Sequence, residues 1–397
     1  MKKTTATASY ALLQASLWGF YAILLGYSSN FLYTYGFTDG GISLLLGFST
    51  AASCVLQLLL GEISSRFSKV TVYRVLLAMG TMIFLGAMLM GMDSVPWAAV
   101  AGLALSCGLL QALPAMGNAI GMDAIAKGSP ANYSFARGAG SVSYSLLALW
   151  MGRLVSRFGA EVIGIVAAVN ALVFLVGVIW FHYAGEVGGQ PRESKQEAKA
   201  QTPFLRTYPW FALFLVGAIC LLASHNLTSN FMLQIINAKG GDATHQGVAT
   251  FIAAFVEIPV MFTFGLLLRK VGCRFWLCLS VIFFAIKGLL IYCSTGVYGV
   301  YGAQATQFAG FGIYAISSVH YAGKAVKRED VVRAQSYLGA TIATGSLIAS
   351  FTGGFLCQWF TAQGLALVAA GLGALGAVIV IPAVLLHDKR GETVETV

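Results

Sequence analysis

Long apolar runs, separated by short gaps that hold charges, prolines or glycines, fill almost the whole chain. The runs are continuous, whereas a half-buried strand alternates apolar and polar positions. About 20 consecutive apolar residues suffice to cross a bilayer as a helix. The gaps cut the chain into twelve predicted membrane-spanning helices, near 8–35, 41–64, 71–92, 96–122, 134–156, 161–183, 208–236, 246–268, 273–294, 297–322, 334–358 and 363–386. A membrane barrel is excluded by the same continuity, because its strands are short and alternate in polarity. The first run follows the start MKK, yet it is too long for the apolar part of a secretory signal and lacks a small-x-small cleavage site. It is predicted to remain as the first span.

Composition agrees with this pattern and adds an orientation. Of 397 residues, 58% are hydrophobic and 10% charged, against roughly 25% charged in soluble domains. With the N-terminus inside, 20 of the 24 Lys and Arg residues fall in predicted cytoplasmic segments, Arg137 being counted at a loop edge. Arg153, Arg157 and Lys239 fall outside, and Lys287 lies within a span. This bias predicts both termini in the cytoplasm of a multi-pass protein of the cytoplasmic (inner or plasma) membrane, embedded in the lipid bilayer. The net charge of +9 is then a topology signal, and no nucleic-acid partner is expected, since no soluble segment interleaves basic and aromatic residues. The seven cysteines include no C-x-x-C pair, so neither a disulfide framework nor a metal site is expected. GLGALG at 371–376 fits a dinucleotide-loop pattern but lies inside an apolar span, where helix packing explains it better. No nucleophile, metal or phosphate-loop motif is present, so neither an enzyme nor a cofactor is predicted.

One phrase recurs. GEISSRFSK begins at Gly61 and GRLVSRFGA at Gly152, 91 residues later; GLLLRKVGC begins at Gly265 and, more weakly, GFLCQWFTA at Gly354, 89 residues later. Each phrase ends the second helix of a three-helix group. Four such groups, alternate copies inverted, make two six-helix bundles: 1–183, then a polar cytoplasmic linker over 184–207, then 208–397 with a short cytoplasmic tail. Inversion also accounts for Arg153 and Arg157, which occupy the repeat's loop position on the outer side.

Polar residues inside the spans carry the candidate chemistry. A charge near the bilayer centre costs about 2.5–3.5 kcal/mol on insertion scales, so Glu257 and Lys287 need a reason to be there. Each is 15 positions from Gly272, the turn between spans eight and nine, which sets both at similar depth. A structural ion pair is one reading. A cavity-facing pair that exchanges its partner for solute or proton is the other. Amide stripes add Asn226, Asn230, Gln234 and Asn237 on span seven, which fall within about 80° at 100° per residue. Gln304 and Gln307 lie on span ten with Phe311 and Tyr314, Asn118 on span four with Gln111, and Arg137 with Ser141 and Tyr144 on span five. Span one contributes Gln14, Trp18 and Tyr21, and His225 lies beside the span-seven stripe. Such stripes serve either as interhelical glue or as the lining of a wet cavity.

In layout the whole chain resembles a major facilitator, and specifically the lactose-permease and phenylpropionate-permease-like group. The basic loops after Gly61 and Gly265 resemble the superfamily's signature loop, which implies a gating role for Gly61, Arg66, Gly265, Lys270 and Arg274; Ser65 and Ser68 replace its aspartate and glycine. ANYSFARGAGSVSY (131–144) is similar to the group's fifth-helix phrase and implies Arg137 as a solute-binding arginine and Tyr144 as a stacking aromatic. Lys287 stands where the sugar permease has a ninth-helix arginine, and EIP at 257–259 is similar to the eighth-helix glutamate phrase of the phenylpropionate type. The fourth helix's acidic partner appears here as Asn118, and Gln307 and Gly310 stand where the sugar permease has a His and a Glu. The expectation is a monomeric transporter that imports a small polar solute, a sugar or nucleoside-like molecule, with protons. Glu257 couples, with His225 as the next titratable candidate. Arg137, Tyr144, Asn118, Asn226, Asn230, Gln304, Gln307 and Lys287 bind. An organic- or aromatic-acid carrier, or a drug exporter, is the alternative.

Overall fold

The computed structural model describes residues 2–66, 71–92, 94–185, 204–327 and 330–389; within these, the side chains of 2–3, 61–66, 126, 185, 261–262, 264–270, 332 and 388–389 lie outside the described set. Most of the predicted linker also lies outside it. Helix covers all twelve predicted stretches, and no strand occurs among the described residues. Span one is α1 (Lys2–Phe20), a π turn (Tyr21–Leu25) and α2 (Ser28–Thr34), and spans two and three are α3 (Asp39–Arg66) and α4 (Val72–Met90). Span four is α5 (Pro96–Leu110) with α6 (Ala112–Ala126), bent by 44°; spans five and six are α7 (Tyr133–Phe158) and α8 (Val162–Gly185). A short α9 (Phe204–Thr207) precedes span seven, which is α10 (Pro209–Asn230) with α11 (Met232–Ala238). Spans eight and nine are α12 (Ala243–Lys270) and α13 (Cys273–Cys293). Span ten is α14 (Val297–Ala305), a 3-10 turn (Thr306–Phe308) and α15 (Phe311–Lys324), and α16 (Val331–Lys389) runs through the last two spans.

By length and hydropathy alone, seven described helices can cross a membrane, eight with the bent pair α5–α6. One of the seven, Arg333–His387, has 55 residues, on the order of 80 Å at 1.5 Å per residue. A single crossing needs ~30 Å. Thr361, at φ 64° and ψ 169°, breaks it in two, between the predicted spans 334–358 and 363–386.

The repeat is visible in the backbone. Gly159 ends α7 at φ 81° and ψ 174°, and it holds the eighth place of GRLVSRFGA. Thr361 holds the same place of GFLCQWFTA, with nearly the same backbone. This region belongs to glycine, because a Cβ is crowded there. The weakest of the four phrases therefore marks a true counterpart. A second echo closes the first span of three groups: Gly36, Gly128 and Gly240 all have positive φ. In each, the glycine N–H donates three residues back and the next N–H donates five back. Gly36 and Gly128 lie 92 residues apart, close to the spacing of the basic phrases.

Interruptions also follow the repeat. The first span of every group is broken, at Tyr21–Tyr27, Gln111, Phe231 and Thr306–Gly310, and an unserved backbone group in lipid costs several kcal/mol. Pro114 lacks the N–H that would serve the Leu110 carbonyl. The Tyr21 hydroxyl donates to that carbonyl instead, at 2.7 Å, and the Gln111 N–H donates to Ser53 Oγ at 2.8 Å. Gln246 Nε2 donates to the Gly26 carbonyl at 2.6 Å.

The chain divides into two compact units, 1–195 with 242–251, and 196–241 with 252–397. In the first, Tyr10, Leu13, Leu17, Phe20, Phe174 and Phe181 are core residues. The first turns of α12 belong here: a Cβ on Gly152 would lie 2.5 Å from the Ala243 carbonyl and 3.0 Å from Gly247 Cα. Gly152 thus serves a close helix crossing, while the turn falls to Gly159. In the second unit, Phe211, Phe214, Leu221, Leu277 and Val380 form the core. Two of the three GLGALG glycines pack there, Gly373 against Ala285 and Gly376 against Leu221 and Gly217, while Gly371 is exposed with open space around it.

Candidate functional site

In the first unit the polar residues of spans one, four and five converge. Asn132 caps α7 by accepting from the Phe135 N–H at 3.0 Å, which sets Arg137 in the second turn. There its Cζ lies 4.0 Å from the centroid of the Trp18 ring, and its Nη1 donates to Ser141 Oγ at 3.1 Å. Room for the indole comes from Gly140, where a Cβ would stand 2.5 Å from Trp18 Cδ1. Trp18 in turn stacks on Tyr21, with centroids 5.3 Å apart. One turn before Trp18, Gln14 Nε2 donates to Tyr10 Oη at 3.0 Å and to Asn118 Oδ1 at 3.2 Å. Tyr10 donates onward to the Gly117 carbonyl at 3.2 Å. Gln14 Oε1 is buried without a hydrogen-bond partner among the described residues. Tyr144 lies two turns further along α7, half-buried.

The second unit assembles its charges around one amide. Gln307 sits in the 3-10 turn that interrupts span ten, and that break turns its side chain toward α12 and α13. Its Oε1 accepts from Lys287 Nζ at 2.5 Å, and its Nε2 donates to Glu257 Oε1 at 2.9 Å. The same Nε2 lies 3.5 Å from His225 Nδ1. Glu257 and Lys287 therefore meet through a neutral bridge that gives each charge the partner it needs. Gly312 brings α15 close to α12 here, since a Cβ on it would lie 3.4 Å from Glu257 Cγ. The imidazole of His225 lies flat on Phe311, with centroids 4.3 Å apart and 6° between planes. Phe284 meets both His225 and Tyr314 edge-on.

Other predicted site residues fall elsewhere. The span-seven stripe is cut at Phe231, because span seven is two helices rather than one. Asn226 Nδ2 donates to the Leu222 carbonyl of its own helix at 2.8 Å, and Asn230 Nδ2 to Ser350 Oγ on α16 at 3.4 Å. Asn237 is exposed. Gln304 is buried with its Nε2 3.5 Å from Met232 Sδ, and its Oε1 has no partner among the described residues. Among the described residues, none of Asn226, Asn230 and Gln304 hydrogen-bonds to the Gln307 cluster. Arg274 is half-buried in the first turn of α13. The side chains of Gly61, Arg66, Gly265 and Lys270 lie outside the described residues.

Sequence reasoning named Gln307 as a solute ligand and missed its role as the hub between two charges. It also placed Trp18 and Tyr21 in a polar stripe without joining them to Arg137. One available signal went unused. Pro114 strips the Leu110 carbonyl of its helical donor, so a hydroxyl on a neighbouring span had to be found for it.

Comparison with known proteins gives one consistent result. The family model described as MFS_1 like family matches residues 10–367. The nucleoside transporter NupG superposes with a TM-score of 0.74 at 16% identity, covering 98% of this chain and 99% of that one. A POT family transporter in complex with 5-aminolevulinic acid gives 0.67 at 13% identity, covering 98% and 96%. A bacterial homologue of the human drug peptide transporters PepT1 and PepT2 gives 0.66 at 15% identity, covering 98% and 100%. These likenesses establish the fold. No curated protein matches the sequence.

Proposed function

Because the chain belongs to the MFS_1 like family and is therefore a membrane transporter of the major facilitator fold, we propose that it moves a small polar organic solute by proton symport and alternating access. A sugar or nucleoside-like solute fits the neutral hydrogen-bonding groups best. In this reading the protein is a monomer in the cytoplasmic membrane, with two bundles, 1–183 and 208–397, and with both termini and the linker cytoplasmic. Arg137 and Lys287 anchor the solute, Asn118, Gln307 and Tyr144 select it, and Glu257 takes and releases the coupling proton.

The observation that carries this reading is the Gln307 bridge. Its amide joins Glu257, Lys287 and His225 within one cluster, so a change of partner at any one group alters the charge balance of the other two. A carboxylate in a poorly hydrated site ionises only while a cation or donor supports it. Withdrawal of Lys287 toward a solute oxygen would favour protonated Glu257, and its return would release the proton. The second reading, a carrier of organic or aromatic acids, is favoured by the excess of cationic groups, Arg137 and Lys287 against Glu257.

The test uses protein in proteoliposomes, with a solute chosen by thermal shift against uridine, lactose and benzoate. Glu257→Gln keeps the shape and hydrogen bonding but does not ionise. It is expected to retain solute exchange and to lose uphill accumulation driven by a pH gradient. Accumulation at the wild-type level removes Glu257 from the coupling role and passes it to His225. Loss of both activities in a folded variant makes Glu257 a solute ligand.

A further inference from the structure

We infer that Trp18 is a positioning residue for Arg137, a shelf that fixes the plane of the guanidinium and so the direction in which its edge N–H groups are offered. The inference rests on the reading of Arg137 as a solute anchor. A guanidinium lying on an indole face is held by its flat side, and this contact uses none of its N–H donors. Those donors lie in the plane of the group, so the tilt of the ring beneath sets where they point. A point charge on a flexible stem would need no such support.

The shelf is built from three sides. The guanidinium carbon lies 4.0 Å above the indole, and Ser141, one turn further along α7, accepts from one of its edges. Gly140 lets the indole press against the backbone of α7, where any Cβ would strike it. Tyr21 also packs on the indole. Its ring stacks on Trp18, and its hydroxyl is fixed to the Leu110 carbonyl that Pro114 leaves without a helical donor. The plane of Arg137 is thereby tied through two aromatic rings to the bend in span four.

The test needs no known solute. Purified protein in lipid nanodiscs is treated with phenylglyoxal, and the rate of modification at Arg137 is read by peptide mass spectrometry. Trp18→Leu should raise the rate about threefold, the factor expected from losing a half-exposed cation–π contact. Trp18→Phe keeps a face and should restore nearly the wild-type rate. Gly140→Ala, which pushes the indole away, should act like Trp18→Leu, and it keeps the question open to refutation if Trp18→Leu does not fold. Unchanged labelling in folded Trp18→Leu or folded Gly140→Ala overturns the shelf, and so does a Trp18→Phe rate equal to that of Trp18→Leu. The anchor reading is tested separately, by binding to Arg137→Lys. Normal binding there sinks the anchor whatever the labelling shows, whereas normal labelling sinks only the shelf.

Discussion

The two units hold their intramembrane cations by different means. In the first, the Arg137 guanidinium rests on an indole and donates to a hydroxyl. In the second, Lys287 is 6% exposed, and its ammonium donates to an amide that also binds a carboxylate. Arg suits the first arrangement because its charge is spread over a flat surface that an aromatic face can support. Lys is a compact, strongly hydrated charge, and burial without an oxygen partner would be costly. The difference separates two functions that one kind of site would confuse. The arginine can meet a solute while its support stays in place. The lysine donates to Gln307 from the same compact group that would meet a solute, so a solute that draws it away from the amide disturbs Glu257.

The largest effect should come from breaking the bridge. Gln307→Leu leaves two charges without their shared partner, and losing a hydrogen bond to a charged group costs about 1.5–3 kcal/mol. Unfolding in detergent should therefore move to clearly lower temperature or denaturant. Stability equal to wild type would mean that Lys287 and Glu257 do not depend on the amide, and the contrast between the units would collapse.

A smaller effect is expected from Arg137→Lys. It keeps the charge but loses the planar fork and the flat seat on Trp18. Binding of the solute selected from uridine, lactose and benzoate should weaken by about tenfold, roughly 1.4 kcal/mol, while the unfolding midpoint moves far less than in Gln307→Leu. A large fall in stability would instead make Arg137 part of the scaffold, as the lysine is.

The third comparison concerns backbone. Gly159 and Thr361 share a conformation that suits only glycine, and a strained residue of this kind costs of order 1–3 kcal/mol. Thr361→Gly should stabilise by about 1 kcal/mol and Gly159→Thr should destabilise by about as much, both read from equilibrium unfolding. Equal behaviour of the two substitutions would show that the halves do not share this turn.

Much of the fold was legible in the chain because each span carries its own signal. Twenty apolar residues specify a crossing whatever their neighbours do, so the predicted stretches coincide with helices even where the breaks within them went unread. The repeat was legible for a related reason: Gly152 and Gly159, like Gly354 and Thr361, stand at fixed offsets that local backbone geometry preserves. The span-seven stripe failed at Phe231, because a 3.6-residue period holds only while the helix continues.

The sequence by itself determined the class of molecule, the places of the spans and which polar residues enter the apolar zone, since hydropathy and helix period act over a few turns of one segment. Only the tertiary structure decided partners. Arg137 and Trp18 lie 119 residues apart, and Gln307 lies 50 from Glu257 and 82 from His225. No local rule relates residues so distant along the chain. Their meeting depends on which helices pack together, on glycines such as Gly140 and Gly312 that let them approach, and on breaks such as those at Gln111 and Gln307 that turn a side chain or a carbonyl toward its neighbour.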